Sequence, residues 1–191
     1  MSKTLISIFL ALTLGASGAS QAAPVIDQNA PTDNAGMAFL SQTDIAQSFK
    51  QSASNIAGAG FYISQGRGEV TYSLFDNLNG NLLTSATGTV SSAGWFDLFW
   101  APLSIVADQT YYLVVTGAGN ILLDDDVLNG YSRGQVYANS GFGSFPTYDY
   151  TFRTYADDVG VGNGVPEPAS IALALGGLCA AGAARRRAAA R

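Results

Sequence analysis

The sequence predicts an all-β domain, an antiparallel sandwich of two sheets of the jelly-roll type, set between a removable N-terminal segment and a short C-terminal transmembrane helix. Three observations carry this expectation. Apolar and polar residues alternate with the period of two that a half-buried strand requires. Gly, Asn and Asp interrupt the apolar runs at short intervals, which suits turns between strands. Between residues 46 and 156 no apolar stripe recurs every 3.6 residues over the length of a helix.

Residues 45–49 and 59–64 open the strand set. Residues 69–75 give the clearest pattern, with Val70, Tyr72 and Leu74 toward the core and Thr71 and Ser73 toward water. The Asn79-Gly80 pair after them is a hairpin signal, because both residue types tolerate positive φ, and residues 82–90 return as the partner strand. In residues 95–100, Phe96, Leu98 and Trp100 share one face and Trp95, Asp97 and Phe99 the other. Asp97 marks the second face as the solvent side. Residues 111–116 are apolar on both faces, the pattern of a central strand. Residues 121–123, 135–138 and 148–155 complete eight or nine strands.

Both ends read as targeting segments. Lys3, the apolar run 5–14 and the small-residue exit Ser20-Gln21-Ala22 have the order of a secretory signal peptide, which places cleavage by signal peptidase after Ala22 and export of the rest. The divisions that follow are a signal peptide at 1–22, a β-sandwich domain at 23–155, a Gly- and Asp-rich flexible spacer at 156–164 and a C-terminal segment at 165–191.

Composition narrows the chemistry. Only Lys50, Arg67, Arg133 and Arg153 oppose the 14 acids that lie between Asp27 and Glu167, a balance that repels nucleic acid and anionic lipid. With no His in the chain, a Ser-His-Asp relay, a Cys-His pair and a His-ligated zinc are excluded. The single Cys, Cys179, sits in the C-terminal apolar run, so the domain carries neither disulfide nor thiolate chemistry.

Two candidate sites remain in the domain. Asp124, Asp125 and Asp126 offer the hard oxygen ligands that Ca²⁺ selects, although the spacing fails the EF-hand register; the alternative is a solvated acidic loop. Trp95 and Phe99, on the expected solvent face, are candidate stacking surfaces for a glycan, the alternative being packing between sheets. The surplus of Asp leaves a small glycan hydrolase as a further reading, but Glu69 begins a strand and Glu167 lies in the tail, so no catalytic residues are assigned and the protein is expected not to be an enzyme.

The end of the chain carries the sharpest pattern. Val165-Pro166-Glu167-Pro168-Ala169-Ser170 leads into an apolar run and then Arg185, Arg186 and Arg187. Residues 169–184 would span about 24 Å as a helix, short of the roughly 30 Å hydrocarbon core, with the arginines held on the cytoplasmic side. Such a segment pauses in a membrane and anchors poorly. This three-part tail resembles the PEP-CTERM sorting signal of Gram-negative bacteria. The resemblance implies recognition of Pro166-Glu167-Pro168 by an integral-membrane exosortase, removal of the tail, and delivery to the cell surface or exopolysaccharide matrix. Residues 46–49, 70–76, 95–98, 109–114 and 148–155 are similar to a β-sandwich domain common in exported bacterial surface proteins, which implies fold and location and no catalytic residues. The expected function is that of a non-catalytic surface or matrix protein, with polysaccharide binding as the alternative.

Overall fold

The computed structural model describes residues 23–31, 35–128 and 130–157, so the expected signal peptide, the sorting motif, the apolar run and the arginines lie outside the described residues. Thirteen strands and no helix occur among the described residues: β1 Val25–Ala30, β2 Ala35–Phe39, β3 Ala46–Lys50, β4 Asn55–Gln65, β5 Gly68–Phe75, β6 Leu82–Val90, β7 Gly94–Ser104, β8 Thr110–Gly117, β9 Leu122–Asp126, β10 Val136–Ala138, β11 Gly143–Phe145, β12 Asp149–Tyr150 and β13 Phe152–Ala156. The count exceeds the expected eight or nine for a physical reason. β1, β2 and β11 carry weak alternation of their own and are strands because β13, β9 and β10 supply their hydrogen-bonding partners. The expected strand 148–155 is in turn split at Thr151, where the chain leaves β9 for β4.

All pairings are antiparallel and fall into two sheets. In the first, β4 is the hub: β7 runs along one edge over Asn55 to Ile63, and β13 and β9 share the other edge. β1 extends this sheet beyond β13, and β2 and β12 pair with β9. The second sheet has the order β11-β10-β3-β8-β5-β6. The chain changes sheet at most connections, as a jelly-roll sandwich does.

The core lies between the sheets. Phe61 of β4 meets Tyr72 of the opposite sheet edge-on, with centroids 5.1 Å apart, and also contacts Tyr150 and Phe152 at 6.0 and 6.3 Å. The Tyr72 hydroxyl donates to the Phe96 carbonyl at 3.0 Å, so a polar tie crosses an otherwise apolar interface. Burial pushes the Tyr72 phenol far up from its ordinary value and keeps it a donor.

One local expectation holds in part and a second is corrected. β8 is central, between β3 and β5, yet Tyr111, Leu113 and Val115 are buried while Tyr112 and Val114 are half-buried on the outer side. Its outer face is apolar because Tyr112 packs against Tyr137 at 5.8 Å. The β5–β6 hairpin forms, but neither Asn79 nor Gly80 takes a positive φ. Instead the Gly80 N–H closes a four-residue turn on the Asn77 carbonyl at 2.9 Å, and the Asp76 carboxylate accepts the Asn81 N–H at 2.8 Å.

Candidate functional site

The outer face of the first sheet is built in rows of cross-strand partners. One row runs Asp97, Gly60, Arg153, Asn29, and the next runs Phe99, Gly58, Tyr155, Ile26. Gly60 and Gly58 make these rows work. A Cβ on Gly60 would stand 2.0 Å from Asp97 Oδ1, and one on Gly58 would stand 2.6 Å from Phe99 Cδ1. Without those methyls the side chains on β7 and β13 lie across the β4 backbone and touch. Arg153 Nε donates to Asp97 Oδ1 at 2.8 Å, and Phe99 packs on Tyr155 with centroids 4.9 Å apart.

Trp95 completes the face. Tyr62 meets it edge-on at 5.7 Å, and the Arg153 guanidinium lies 4.1 Å from its ring centroid. The hydrogen bonds to Asp97 hold the Arg153 guanidinium charged, and burial followed by the Asp97 carboxylate pushes the Tyr155 phenol well up. Trp95 and Phe99 therefore share the outer face, as the alternation predicts, but their situations differ. Arg153 covers one face of Trp95, whereas Phe99 is 51% exposed. With the Asp97 carboxylate committed to Arg153, the face presents rings to solvent more than it presents an acid–base pair.

The three adjacent aspartates are not a solvated loop. Asp124, Asp125 and Asp126 form the end of β9 and are 3, 4 and 1% exposed. Strand geometry turns Asp125 to the face opposite Asp124 and Asp126. Ser64 Oγ donates to Asp124, Asp125 lies directly opposite Tyr150, and Asp126 accepts the Leu128 and Gly130 N–H groups at 2.8 and 2.7 Å. Among the described residues no group of three or more acidic, His or Cys side chains converges as a metal site would.

Asp149, which sequence reasoning passed over, is fully buried beside them. Gln47 Nε2 donates to its Oδ1 at 2.8 Å and the Tyr131 N–H to its Oδ2 at 3.2 Å. Burial outweighs those two bonds and pushes its carboxyl up to about 6, with the charge of Asp126 adding to the shift. Tyr62, Arg153 and Tyr155 were also passed over as site residues. Their period-2 placement opposite core residues could have put them on the outer face, but nothing local pairs Arg153 with Trp95.

The PEP-CTERM protein-sorting motif matches residues 164–188, which include Pro166, Glu167, Pro168 and all of Arg185, Arg186 and Arg187. The motif marks the chain for export and sorting to the cell envelope through an exosortase. No curated protein and no solved structure matches the chain.

Proposed function

We propose that this chain, sorted by its C-terminal motif, supplies a non-catalytic β-sandwich to the cell surface or the exopolysaccharide matrix. The single observation that carries the reading is the three-part tail, in which Pro166-Glu167-Pro168, an apolar run too short to anchor well and three arginines follow one another within the matched residues 164–188. Signal peptidase removes residues 1–22, the apolar run pauses in the inner membrane, and the exosortase removes the tail. Fractionation of the producing cell with mass spectrometry of both termini tests this. The expected product begins near residue 23, ends near residue 165 and lies outside the cytoplasm; a cytoplasmic protein with both ends intact would refute the proposal.

A second reading, binding of extracellular polysaccharide, is supported by the exposed Phe99 ring seated on Tyr155 with Ile26 beside it in the same row. Flat rings at a sheet surface suit the C–H face of a sugar.

A further inference from the structure

Both ends of the described domain leave it at one place. Val25 of β1 lies directly opposite Ala156 of β13. Past β13, the Asn55 side chain grips the next residue as a partner strand would: its Oδ1 accepts the Asp157 N–H at 2.7 Å, and its Nδ2 donates to the Asp157 carbonyl at 3.2 Å. Ala23 and Asp157 line the same cleft, of about 440 Å³, whose other walls include Pro24, Trp100 and Pro102.

The surface around this exit is apolar. Val25, Ile26 and Phe99 are each about half exposed. Ile26 lies opposite Tyr155, on whose ring Phe99 packs, so the side chains form one strip that leads to the cleft. Exposed apolar groups gathered in one place mark a surface that meets another body. Charge narrows what that body is. Arg153 beside the strip is bonded to Asp97, Asp27 accepts the Ser52 and Ala53 N–H groups, and no Lys or Arg lines the cleft. Nothing here attracts an anionic headgroup, and the acidic domain around it repels one.

Chain length gives the partner. The apolar runs 5–14 and 169–184 both connect to this end of the fold. Only residues 158–168 separate it from the second run, a span of at most about 36 Å when fully extended. With the tail in the bilayer, the exit end stays within that reach of lipid, at an effective concentration in the millimolar range. Three half-exposed side chains are too few to hold a free protein on a membrane, but they suffice for a tethered one.

We propose that this end of the domain rests on zwitterionic lipid while the tail spans the membrane, with Val25, Ile26 and Phe99 among the headgroups. This docking rests on the reading of the tail as membrane-spanning, and it covers the Phe99–Tyr155 face that polysaccharide would use until the tail is removed. The test floats the full-length chain with vesicles of phosphatidylcholine and phosphatidylethanolamine and measures quenching of its two tryptophans, Trp95 and Trp100, by brominated phosphatidylcholine. Quenching is expected, and it should weaken as phosphatidylglycerol replaces phosphatidylethanolamine. Ile26→Ser combined with Phe99→Ser should lower the docking constant at least about tenfold and remove most of the quenching. Val25→Ser, which disturbs no ring contact, should lower it about threefold. Phe39→Ser, opposite Leu122 at the far end of β4 from Asn55, should change nothing. Chains that float unquenched, quenching that survives the double substitution, or quenching that rises with phosphatidylglycerol would overturn the docking. Cross-linked dimers without quenching would assign the strip to a second copy instead. A chain that does not float refutes the membrane-spanning tail itself, and the docking with it.

Discussion

Asp97 and Arg153 bond to each other across the backbone of Gly60, the residue between them in the sheet. Their side chains are 20 and 19% exposed, so the pair sits deeper than an ordinary surface ion pair, and it holds Arg153 against Trp95. One absent side chain thus organises the outer face.

Gly60→Ala should disrupt that arrangement. Its Cβ would meet Asp97 Oδ1 at 2.0 Å and the Phe96 carbonyl at 3.2 Å, and the backbone carbonyl cannot swing aside. A loss of about 1–3 kcal/mol is expected, the usual cost of forced overpacking, read as a lower urea midpoint. An unchanged midpoint would show that Asp97 moves freely and that the pair does not depend on the glycine.

Trp95 and Phe99 should separate in mutagenesis. Trp95→Ala removes the ring beneath Arg153 and beside Tyr62 and should cost roughly 2 kcal/mol. Phe99→Ala removes a half-exposed ring and should cost less than about 1 kcal/mol. If the outer face binds polysaccharide, retardation in gels containing the host's exopolysaccharide is lost in Phe99→Ala at nearly unchanged stability. Retardation that survives this substitution would refute the outer-face reading.

Asp149 makes stability depend on pH. Its carboxyl rises from the ordinary 3.8 to about 6 in the fold, so between those values the folded chain binds the proton that the unfolded chain releases. Stability from this group is therefore greatest below about pH 4, falls as pH rises through about 6, and is level above, by about 3 kcal/mol in all. Urea midpoints across that window should decline in the parent and flatten in Asp149→Asn. Equal slopes in the two proteins would assign the pH dependence to other groups.

The buried aspartates should act individually. Asp126→Ala leaves the Leu128 and Gly130 N–H groups without the acceptor they now share and should cost about 1–3 kcal/mol. Because Ser64 already donates to Asp124 and the Leu128 and Gly130 N–H groups to Asp126, calcium and chelator should both leave the parent's unfolding midpoint unchanged. A midpoint that rises with calcium would mean that the cluster rearranges around a cation.

Strands with strong alternation were legible from local pattern alone. Val70, Tyr72 and Leu74 are buried and Thr71 and Ser73 half-buried, as their period of two requires. β7 likewise divides Phe96, Leu98 and Trp100, which pack on the core, from Trp95 and Phe99 outside. Asp124, Asp125 and Asp126 read as a loop because three adjacent acids repel one another in water. They became strand because β2 and β12 pair with β9 there and Ser64 and two loop amides meet Asp124 and Asp126. Charge density was visible in the chain, whereas the partners that offset it came from distant segments.

By itself the sequence determined what its nearest neighbours and its period could encode: an all-β domain, which face of each strong strand turns inward, the chemistry excluded by the absence of His, and a sorting motif read as a linear string at residues 164–188. Tertiary structure alone decided what lies beside what. It set Arg153 on Trp95, fitted Asp97 over Gly60 and raised the carboxyl of Asp149. The physical reason is range: strand period and linear motifs act over a few residues, whereas desolvation, ion pairing and ring contacts depend on groups that folding brings together from 25 to more than 100 positions apart.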